Sequence, residues 1–517
     1  MDEVTIGLAL AAVALFLKYR SDTFRSTIVD THPMILPNQT HFSATRNKGE
    51  WAIARNRATP YPSKNHPQFV HNIHESLVKL FATASTSPAF LHKPIPAGPF
   101  VPISVSELGA YANEIGCGIL HLLGGAEKGA PVGVFADDTE VDAKVVEFAA
   151  VLYGFAACLW GGDKAINQEN LRKVLTRTEM QIIVVSESTL ENVLNIAGQC
   201  KELKHIVVSN IKTISQTHTE RAKALNVKLH TLESIRRLGR EHPHEHVKPE
   251  TPDVAAILFQ EIGADVEGVV LTHLNLSVAI SAVYVTLPQQ QKIGDKDVCL
   301  IRPRGNTAFE RALVYALLFA GAQVAFSASN TTFVYDVTSL KPSLLTSSAA
   351  TISILSAAIS SHSAAKAWGF ARAKAGKVQE LREGRCWTGT WWDSIFLKDI
   401  ERSSIWNLRE SQPTDLDAVE TIRAIIGCQV FETFSRNEAG GLVCASAFGD
   451  YAKVQHIGYS VSDKPNPHGA VCIRGPAAAK SYYKDSIKSA AVVEGEGWIR
   501  LDGVYGELLP NGTLALL

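Results

Sequence analysis

Short apolar runs alternate along the body of the chain with stretches whose apolar positions follow helical spacing. Uninterrupted apolar runs occupy residues 132–135, 182–185 and 206–208, and their length is typical of strands that are buried on both faces. Residues 142–159 place apolar side chains at helical spacing, which predicts a helix there. Because strands and helices alternate, we predict parallel sheets covered by helices, and therefore an α/β fold.

The same alternation continues downstream. Residues 253–259 predict another strand, residues 268–285 a strand edge that runs into a helix, and residues 311–326 a helix followed by a strand. Beyond them, short β segments alternate with turn residues. We therefore predict a large α/β domain over residues 71–465 and a smaller β-rich subdomain over residues 466–517.

The first twenty residues differ from the rest. Residues 4–17 are apolar except for Thr5, and Lys18 and Arg20 follow them. As a helix these 14 residues would be about 21 Å long, short of the ~30 Å hydrocarbon core of a bilayer. Basic residues after the apolar run favour a membrane anchor with the rest of the chain in the cytosol, whereas a signal peptide carries its positive charge before the run.

We therefore predict an N-terminal hydrophobic anchor helix over residues 1–20, with membrane contact through residues 4–19, followed by a polar lead segment over residues 21–70. The body would face the cytosol at the surface of the endoplasmic reticulum, a peroxisome or a lipid droplet. Two alternatives remain open: a hydrophobic helix packed on the body, and a signal peptide.

Composition excludes several classes of protein. Apolar residues make up 46% and charged residues 20% of the chain, which excludes general disorder. Lys plus Arg is 50 and Asp plus Glu is 51, so the basic footprint of a nucleic-acid-binding protein is missing. The eight cysteines form no CxxC pair, which argues against a zinc knuckle and favours buried thiols in a reducing compartment. The tract EHPHEH, at residues 241–246, contains side chains that could bind a metal. Pro243 interrupts it in a polar linker, which argues against a metal site.

Five segments, in chain order, carry a resemblance to a known family. Their sequences are GVVLTHLNL at 268–276, FERALVYALLFAGAQVAF at 309–326, AIIGCQVFETFSRNEAGG at 424–441, VQHIGYSVSDKPNPHGAVCIRGPAAAKSYYKD at 454–485 and GWIRLDGVYGELLPNGTL at 497–514. From about residue 70 to its end the chain resembles the AMP-forming adenylating enzymes, and among them the long-chain acyl-CoA synthetases. The resemblance implies the large N-terminal domain of the acyl-adenylate-forming fold, Mg-ATP and CoA as cofactors, and a fatty acid or acyl chain as ligand.

The phosphate loop departs from that family. There the loop is close to YTSGTTGNPKGV, whose glycines expose backbone N–H groups, whose hydroxyls donate to phosphate, and whose lysine balances charge. Here residues 259–268 are FQEIGADVEG. The lysine and hydroxyls are replaced by Glu261, Asp265 and Glu267. A like-charge pair 4–5 Å apart costs on the order of 3–4 kcal/mol at an effective dielectric of 20, so we expect these carboxylates to repel a triphosphate.

The resemblance nevertheless assigns cofactor-binding positions. In the loop and the strand after it these are Gly263, Gly268 and Thr272. In the segment that corresponds to YGLTE, Phe434 would stack on adenine, Asn437 replaces a phosphate-contacting Thr, and Glu438 would be the magnesium ligand and vestigial catalytic residue. The alternative is that Phe434 belongs to the core and that Glu438 is a solvated loop residue.

The ribose position is ambiguous. Ungapped alignment with the family's TGD places Gly503 where the ribose-binding aspartate stands, whereas one extra residue after it would let Asp502 serve. Near the expected acyl site, Thr307 stands where the family has a histidine, and residues 409–413 replace a run of small residues. The given sequence ends before the family's hinge, so we expect the small domain that carries a catalytic lysine and part of the CoA site to be absent.

Our leading hypothesis is a membrane-anchored protein, similar to long-chain acyl-CoA synthetases, that has lost most or all ligase activity and binds an acyl chain or acts as a scaffold or regulator, with a protein partner. The alternative is a functional AMP-forming long-chain fatty acid:CoA ligase, which converts ATP and fatty acid to acyl-adenylate and then transfers the acyl group to CoA. A third is that the small domain is encoded downstream, which would not explain the acidic loop.

Overall fold

The structure is a computed structural model. It describes the following residues: 41–45, 52–55, 70–83, 85–93, 98–125, 128–136, 141–160, 167–262, 265–286, 293–302, 307–327, 330–362, 367–382, 404–409, 416–426, 430–447, 452–454, 456–458, 468–494, 498–508 and 514–516. Within these ranges no helix combines the length and apolarity needed to span a membrane. The predicted anchor over residues 1–20 lies outside them and stays a prediction.

The strands are β1 (His41–Thr45), β2 (Ala52–Arg55), β3 (Pro88–His92), β4 (Val101–Ser104), β5 (Pro131–Phe135), β6 (Ala156–Trp160), β7 (Ile182–Val185), β8 (His205–Val208), β9 (Lys228–Thr231), β10 (Val254–Ile262), β11 (Asp265–Thr272), β12 (Val298–Ile301), β13 (Gln323–Phe326), β14 (Leu344–Ser348), β15 (Ser404–Arg409), β16 (Val430–Arg436), β17 (Gly441–Ala447), β18 (Ala452–Val454), β19 (His456–Gly458), β20 (His468–Ile473), β21 (Ser481–Tyr482), β22 (Val493–Glu494), β23 (Trp498–Leu508) and β24 (Leu514–Leu516).

The helices are α1 (Ile73–Ala82), α2 (Val105–Leu122), α3 (Val141–Tyr153), α4 (Gln168–Thr178), α5 (Glu187–Ala197), α6 (Gln216–Ala224), α7 (Leu232–Glu241), α8 (His273–Thr286), α9 (Ala308–Ala320), α10 (Asn330–Leu340), α11 (Ala349–His362), α12 (Ala367–Arg382), α13 (Leu416–Ile426) and α14 (Ser486–Val492). A 3₁₀ turn spans Asn437–Ala439.

Two mainly parallel sheets form the body of the molecule. Among the described strands, one sheet has the order β21-β11-β10-β6-β5-β7-β8-β9 and the other the order β18-β17-β16-β15-β14-β12-β13-β3-β4. Strands β10 and β5–β9 pair in parallel, as do β3 and β12–β16. Strands β11 and β21 of the first sheet, and β4, β17 and β18 of the second, pair antiparallel. This arrangement confirms the predicted α/β fold with helices over parallel sheets.

A third, antiparallel sheet joins distant parts of the chain. Its order is β1-β2-β19-β20-β23-β22, and β24 pairs with β23. It therefore draws strands from residues 41–55, inside the polar lead segment, where the sequence pattern predicted no strand. The short apolar runs after residue 466 form strands in this sheet, as expected from their turn-bounded pattern.

The predicted strands are observed with small shifts at their ends, but one predicted helix is too long. The helix expected over residues 142–159 ends at Tyr153, and strand β6 begins at Ala156. Gly154 adopts a positive φ of 74°, a conformation that glycine takes without steric cost and that ends the helix. The apolar pattern continued past this point because β6 is itself buried along its whole length.

The main core lies between the two parallel sheets. Helices α2, α3, α8 and α9 contribute buried side chains to one apolar cluster, among them Leu108, Phe148, Ile280 and Phe309. Capping fixes where two of these helices begin: Ser104 and Glu107 form a reciprocal capping box on α2, and the Thr307 hydroxyl accepts from the Glu310 N–H at the start of α9. Because α8 follows β11 directly, this core supports the strand that carries the candidate site.

Candidate functional site

A closed β-hairpin replaces the open loop expected between residues 259 and 268. Strands β10 and β11 pair from Phe259 opposite Gly268 through to Ile262 opposite Asp265. Residues 263 and 264, which join them, lie outside the described residues, so nothing is assigned to Gly263. Since the cross-strand ladder engages backbone groups that an open loop would present to phosphate, the hairpin is a poor cradle for an anion.

Two of the three carboxylates in this hairpin point towards helix α4. Asn170 Nδ2 donates to Glu261 Oε1 over 3.0 Å, and Lys173 Nζ lies 3.3 Å from Asp265 Oδ1. The pKa of Asp265 is lowered by the hydrogen bond from its neighbour's backbone N–H and then by Lys173. The expectation that all three acidic residues face one ligand is therefore wrong for Glu261 and Asp265.

Glu267 lies on the other face of the hairpin and forms an ion pair with Lys488 of α14. Cross-strand alternation explains the difference from Glu261, because Glu267 is opposite Gln260 whereas Glu261 is one residue out of step. Asp265 is in step with Glu267 but lies at the end of the hairpin, where it contacts Lys173. Lys488 Nζ also lies 3.8 Å from Asp502 Oδ2. A lysine from outside the loop thus supplies the positive charge beside its one inward-facing carboxylate.

Glu438 is the centre of the site. It lies in the 3₁₀ turn after β16, and only 6% of its surface is exposed. Gln260 Nε2 donates to its Oε1 over 3.0 Å, and the Tyr482 hydroxyl donates to the same oxygen over 3.1 Å. Its Oε2 has no hydrogen-bond partner among the described residues. Glu438 is therefore a buried, oriented carboxylate, and the alternative that it is a solvated loop residue is wrong.

Tyr482 reaches Glu438 because β21 pairs with β11, which places Tyr482 opposite Val269. Burial raises the pKa of the Tyr482 hydroxyl, and the neighbouring Glu438 and Asp502 carboxylates raise it further. The hydroxyl consequently stays protonated and remains a donor to Glu438 across the physiological pH range. Lys488 Nζ lies 4.9 Å from the centre of the same ring.

Asn437 extends this network to helix α9. The Ala308 backbone N–H donates to Asn437 Oδ1 over 2.9 Å, and Asn437 Nδ2 donates to Gln260 Oε1 over 3.2 Å. Gln260 thus uses both ends of its amide, one towards Asn437 and the other towards Glu438. We call Gln260, Asn437, Glu438 and Tyr482 the site network.

Phe434 belongs to the core. It is 5% exposed and lies in a buried apolar cluster with Val471, Leu501 and Val504. The Arg436 guanidinium lies 5.8 Å from its ring centre. This burial supports the alternative in which Phe434 packs inside the protein rather than presenting its face to adenine.

Asp502 and Gly503 lie in an irregular part of β23. Between the pairs Cys472–Arg500 and Ala470–Tyr505 the register shifts, so β23 bulges there. Gly503 has a φ of 67°, which favours glycine at this point of the bulge. The bulge brings the Asp502 carboxylate near Lys488 and Tyr482, so Asp502 rather than Gly503 offers an oxygen ligand to the site.

The remaining assigned positions have structural roles. A Cβ atom on Gly268 would lie 2.6 Å from Phe259 Cε1, and the Gly268 carbonyl accepts from the Tyr483 N–H over 2.7 Å. The Thr272 hydroxyl donates to Asn275 Oδ1 over 2.8 Å at the start of α8. Both positions therefore serve packing and helix capping.

Comparison with known proteins agrees with this architecture. Residues 87–483 match the model of a family described as AMP-binding enzyme. The chain belongs to the AMP-binding enzyme family. Among long-chain acyl-CoA synthetases, it is 22% identical over 503 residues to the peroxisomal long chain acyl-CoA synthetase 6 of Arabidopsis thaliana, covering 91% of this chain and 70% of that enzyme. It is 26% identical over 447 residues to fatty acyl-CoA synthetase A of Dictyostelium discoideum, covering 80% of this chain and 64% of that enzyme.

Solved structures of adenylating enzymes share the fold. The A domain of a carboxylic acid reductase from Segniliparus rugosus, in complex with AMP and a carboxylic acid, superposes with a TM-score of 0.64 at 15% identity, covering 89% of this chain and 75% of that one. A putative long-chain-fatty-acid CoA ligase from Rhodopseudomonas palustris gives 0.63 at 15% identity, with 87% and 99% covered. These likenesses confirm the predicted α/β fold of the adenylate-forming N-terminal domain.

Sequence reasoning about this AMP-binding family member missed three residues that the structure brings into the site. They are Gln260, Tyr482 and Lys488. Gln260 stands inside the altered loop and Tyr482 inside the KSYYKD segment, so both were visible as neighbours of assigned positions. Their contacts could not be predicted from the sequence, because each contact depends on which strands pair. Among the described residues, no group of three or more metal-ligating side chains is arranged to hold a metal.

Proposed function

We propose that this chain is a long-chain acyl-CoA synthetase-like protein whose ligase activity is lost or strongly reduced, and that it binds an acyl chain or a protein partner. The observation that carries the proposal is the site network. Asn437 stands where the family has a phosphate-contacting Thr, and Gln260 lies in the segment that replaces the hydroxyl-bearing phosphate loop. Their amides bond to each other and to Glu438 or Ala308. Side chains satisfied by one another have little left to offer a nucleotide.

The residues present fit Mg-ATP poorly. The Glu438 Oε2, which has no hydrogen-bond partner among the described residues, suits a cation. The triphosphate, however, would lie against the paired strands of the hairpin and the Glu267 carboxylate. Phe434 is buried in an apolar cluster, which leaves little of its ring exposed for adenine. We therefore derive no adenylation step for this chain.

A second candidate, a functional AMP-forming fatty acid:CoA ligase, is favoured by one specific observation. Glu438 is buried with one oxygen unpaired among the described residues, and Asp502 stands nearby through its contact with Lys488. These two carboxylates are what a magnesium ion and a ribose would need. The two candidates predict different chemistry with the same substrates.

ATP–pyrophosphate exchange separates the two functions. Purified full-length chain would be assayed with Mg-ATP and fatty acids of several chain lengths, alongside Glu438→Gln and the surface control Glu179→Gln. The proposal expects exchange at background level in all three proteins. Exchange that is present in the wild type and in Glu179→Gln, but abolished in Glu438→Gln, would establish the ligase instead.

Acyl binding needs a test of its own. Titration with a fluorescent long-chain fatty acid, in the absence of nucleotide, should give saturable binding that palmitate displaces. If the acid binds only when Mg-ATP is present, the chain handles its ligand as a ligase does. If nothing binds in either case, the acyl ligand is excluded and the protein-partner form of the proposal remains.

The membrane anchor is part of the proposal as well. Deletion of residues 1–20 should move the protein from the membrane fraction to the supernatant of a cell lysate, because the apolar run at residues 4–17 would be removed. Retention of the deleted form on membranes would rule out the anchor. Fluorescence imaging of the intact chain would decide among endoplasmic reticulum, peroxisome and lipid droplet.

A further inference from the structure

The tract EHPHEH has no part in the proposed function, yet the structure gives it an ordered place. We propose that residues 242–248, which we call the histidine strap, form an acid-sensitive latch on helices α1 and α2. The strap is held at neutral pH and is released when its His246, and the buried His74 of α1 that faces it, become protonated.

The first half of the strap is held on α2. The His242 ring stacks on that of His121, with ring centres 4.0 Å apart and planes 11° from parallel. Two residues further, the His244 backbone N–H donates to Cys117 Sγ over 3.2 Å.

The second half packs against α1, α2 and the end of α3. His246 Nε2 bonds to Asn113 Oδ1 over 2.8 Å, and its ring meets the His74 ring edge-on at 6.0 Å. The Val247 N–H donates to the Leu152 carbonyl over 3.0 Å. A histidine of the strap therefore faces a histidine of the body in both halves.

His74 makes the second contact sensitive to acid. It is 7% exposed, and neither ring nitrogen has a hydrogen-bond partner of normal geometry among the described residues. Burial lowers the pKa of His74, and the neighbouring His246 and Lys248 lower it further, while Glu75 and the Leu152 carbonyl oppose them. Burial also lowers the pKa of His246. A proton on the His74 ring would place a positive charge in a buried position beside His246 and Lys248.

A further buried histidine lies behind this contact. His273 begins α8, is 4% exposed, and has an Nδ1 without a partner among the described residues. Burial lowers its pKa to about 4, with Asp253 opposing and His74 adding to the shift. The chain beyond the strap is tied to this helix, because Leu274 N–H donates to the Thr251 carbonyl over 3.0 Å. Release of the histidine strap would therefore also affect the segment that leads into β10.

The direction of the pH effect follows from these shifts. Histidines whose pKa is lower in the folded protein than the unfolded value of about 6.5 bind protons more readily once released. Their contribution to stability is complete above that value and is lost as the pH falls towards the folded pKa, about 4 for His273. The strap should therefore loosen between about pH 6.5 and pH 4.

Hydrogen–deuterium exchange of the full chain at about pH 7.5 and pH 5.5 tests the latch, after correction for the intrinsic pH dependence of exchange. The amides of residue 242 and of residues 244–248 should lose at least about tenfold protection at the lower pH, since one pKa unit corresponds to a tenfold change in the opening equilibrium. Those of Ile182–Val185 in β7, a buried strand outside the cluster, should change much less. Equal protection of the strap at both pH values would overturn the proposal.

Variants identify the histidines responsible. The double substitution His74→Phe with His246→Asn should keep the strap protected at pH 5.5, within about threefold of its neutral value if the titrating groups of this contact carry the effect. In the control His218→Asn, at a partly exposed histidine of α6, the strap should lose protection at pH 5.5 as it does in the wild type. If the double variant loses it equally, the latch is not built from these histidines. Should His74→Phe fail to fold, His246→Asn alone and the wild-type comparison decide.

Discussion

The β10–β11 hairpin and helix α9 both lie in segments that resemble the same enzymes, but their polar side chains differ in what they contact. In α9, Arg311 bonds to Glu147 of α3 through two nitrogens, at 3.0 and 3.4 Å, and Lys144 joins the same carboxylate at 3.1 Å. This ion cluster is deeply buried and ties helices together. In the hairpin, Gln260 instead connects residues of the site to one another.

The comparison distinguishes residues that maintain the fold from residues that would contact a substrate. Arg311, in the FER sequence at residues 309–311, forms a buried ion pair with Glu147. Loss of this pair would leave an unpaired charge inside the core, so the fold depends on it. The hairpin carries no such constraint, because its backbone ladder is satisfied with almost any side chains. A family member that no longer handles a triphosphate can therefore change the hairpin while leaving α9 intact.

The largest effect is expected at the scaffold. Arg311→Ala should lower the free energy of unfolding by about 3–5 kcal/mol, because it removes the main partner of a buried carboxylate. Burial raises the pKa of Glu147, but Arg311 and Lys144 outweigh it and the pKa is lowered overall. Urea denaturation followed by circular dichroism measures the change.

Its matched control is the exposed pair of Lys484 and Glu179, 2.8 Å apart. Lys484→Ala should cost less than about 1 kcal/mol, as is usual for surface ion pairs. Equal losses in the two variants would mean that the buried cluster is not the scaffold element we take it to be.

A smaller effect is expected inside the site network. Tyr482→Phe removes one donor to the buried Glu438 oxygen, and a hydrogen bond to a charged group contributes about 1.5–3 kcal/mol. Tyr483→Phe, at the neighbouring half-buried residue, should cost clearly less because no hydrogen bond from its hydroxyl to a described residue is observed. Thermal denaturation of both variants tests this, and indistinguishable melting temperatures would remove Tyr482 from the network.

The smallest effect is the coupling between the two amides. In a double-mutant cycle, Gln260→Ala and Asn437→Ala should show an interaction energy of about 1 kcal/mol, because each bonds to the other. A reference cycle of Asn437→Ala with Lys204→Ala, immediately before the distant strand β8, should be additive within about 0.5 kcal/mol. Additivity in both cycles would show that the amide contact contributes nothing measurable.

The sequence pattern predicted the fold well because buried parallel strands are recognisable as short apolar runs. The run at residues 182–185 became β7 without any shift. The helix predicted over 142–159 failed because Gly154 ends it inside a continuous apolar stretch. The hydrophobic pattern predicts a strand or helix correctly where burial and the spacing of apolar residues indicate the same element. Where a buried helix is followed directly by a buried strand, the pattern does not show where the helix ends.

The site was predicted only in part, because its contacts depend on register. Glu438 was expected to be functional from its place in the segment, and it is the centre of the network. Which carboxylate of the hairpin faces inward follows from the pairing of Gln260 with Glu267, and this pairing cannot be obtained from composition. Lys488 lies more than two hundred residues from its partner Glu267, so no local motif pointed to it.

Calorimetric titration of the full chain with Mg-ATP tests the central claim most directly, which is that the site network and the closed hairpin have replaced the nucleotide contacts. We predict no saturable binding with a Kd below about 1 mM, a free energy no more favourable than about −4 kcal/mol. A Kd in the low micromolar range that Glu438→Gln weakens, and that the surface control Glu179→Gln leaves unchanged, would contradict the account.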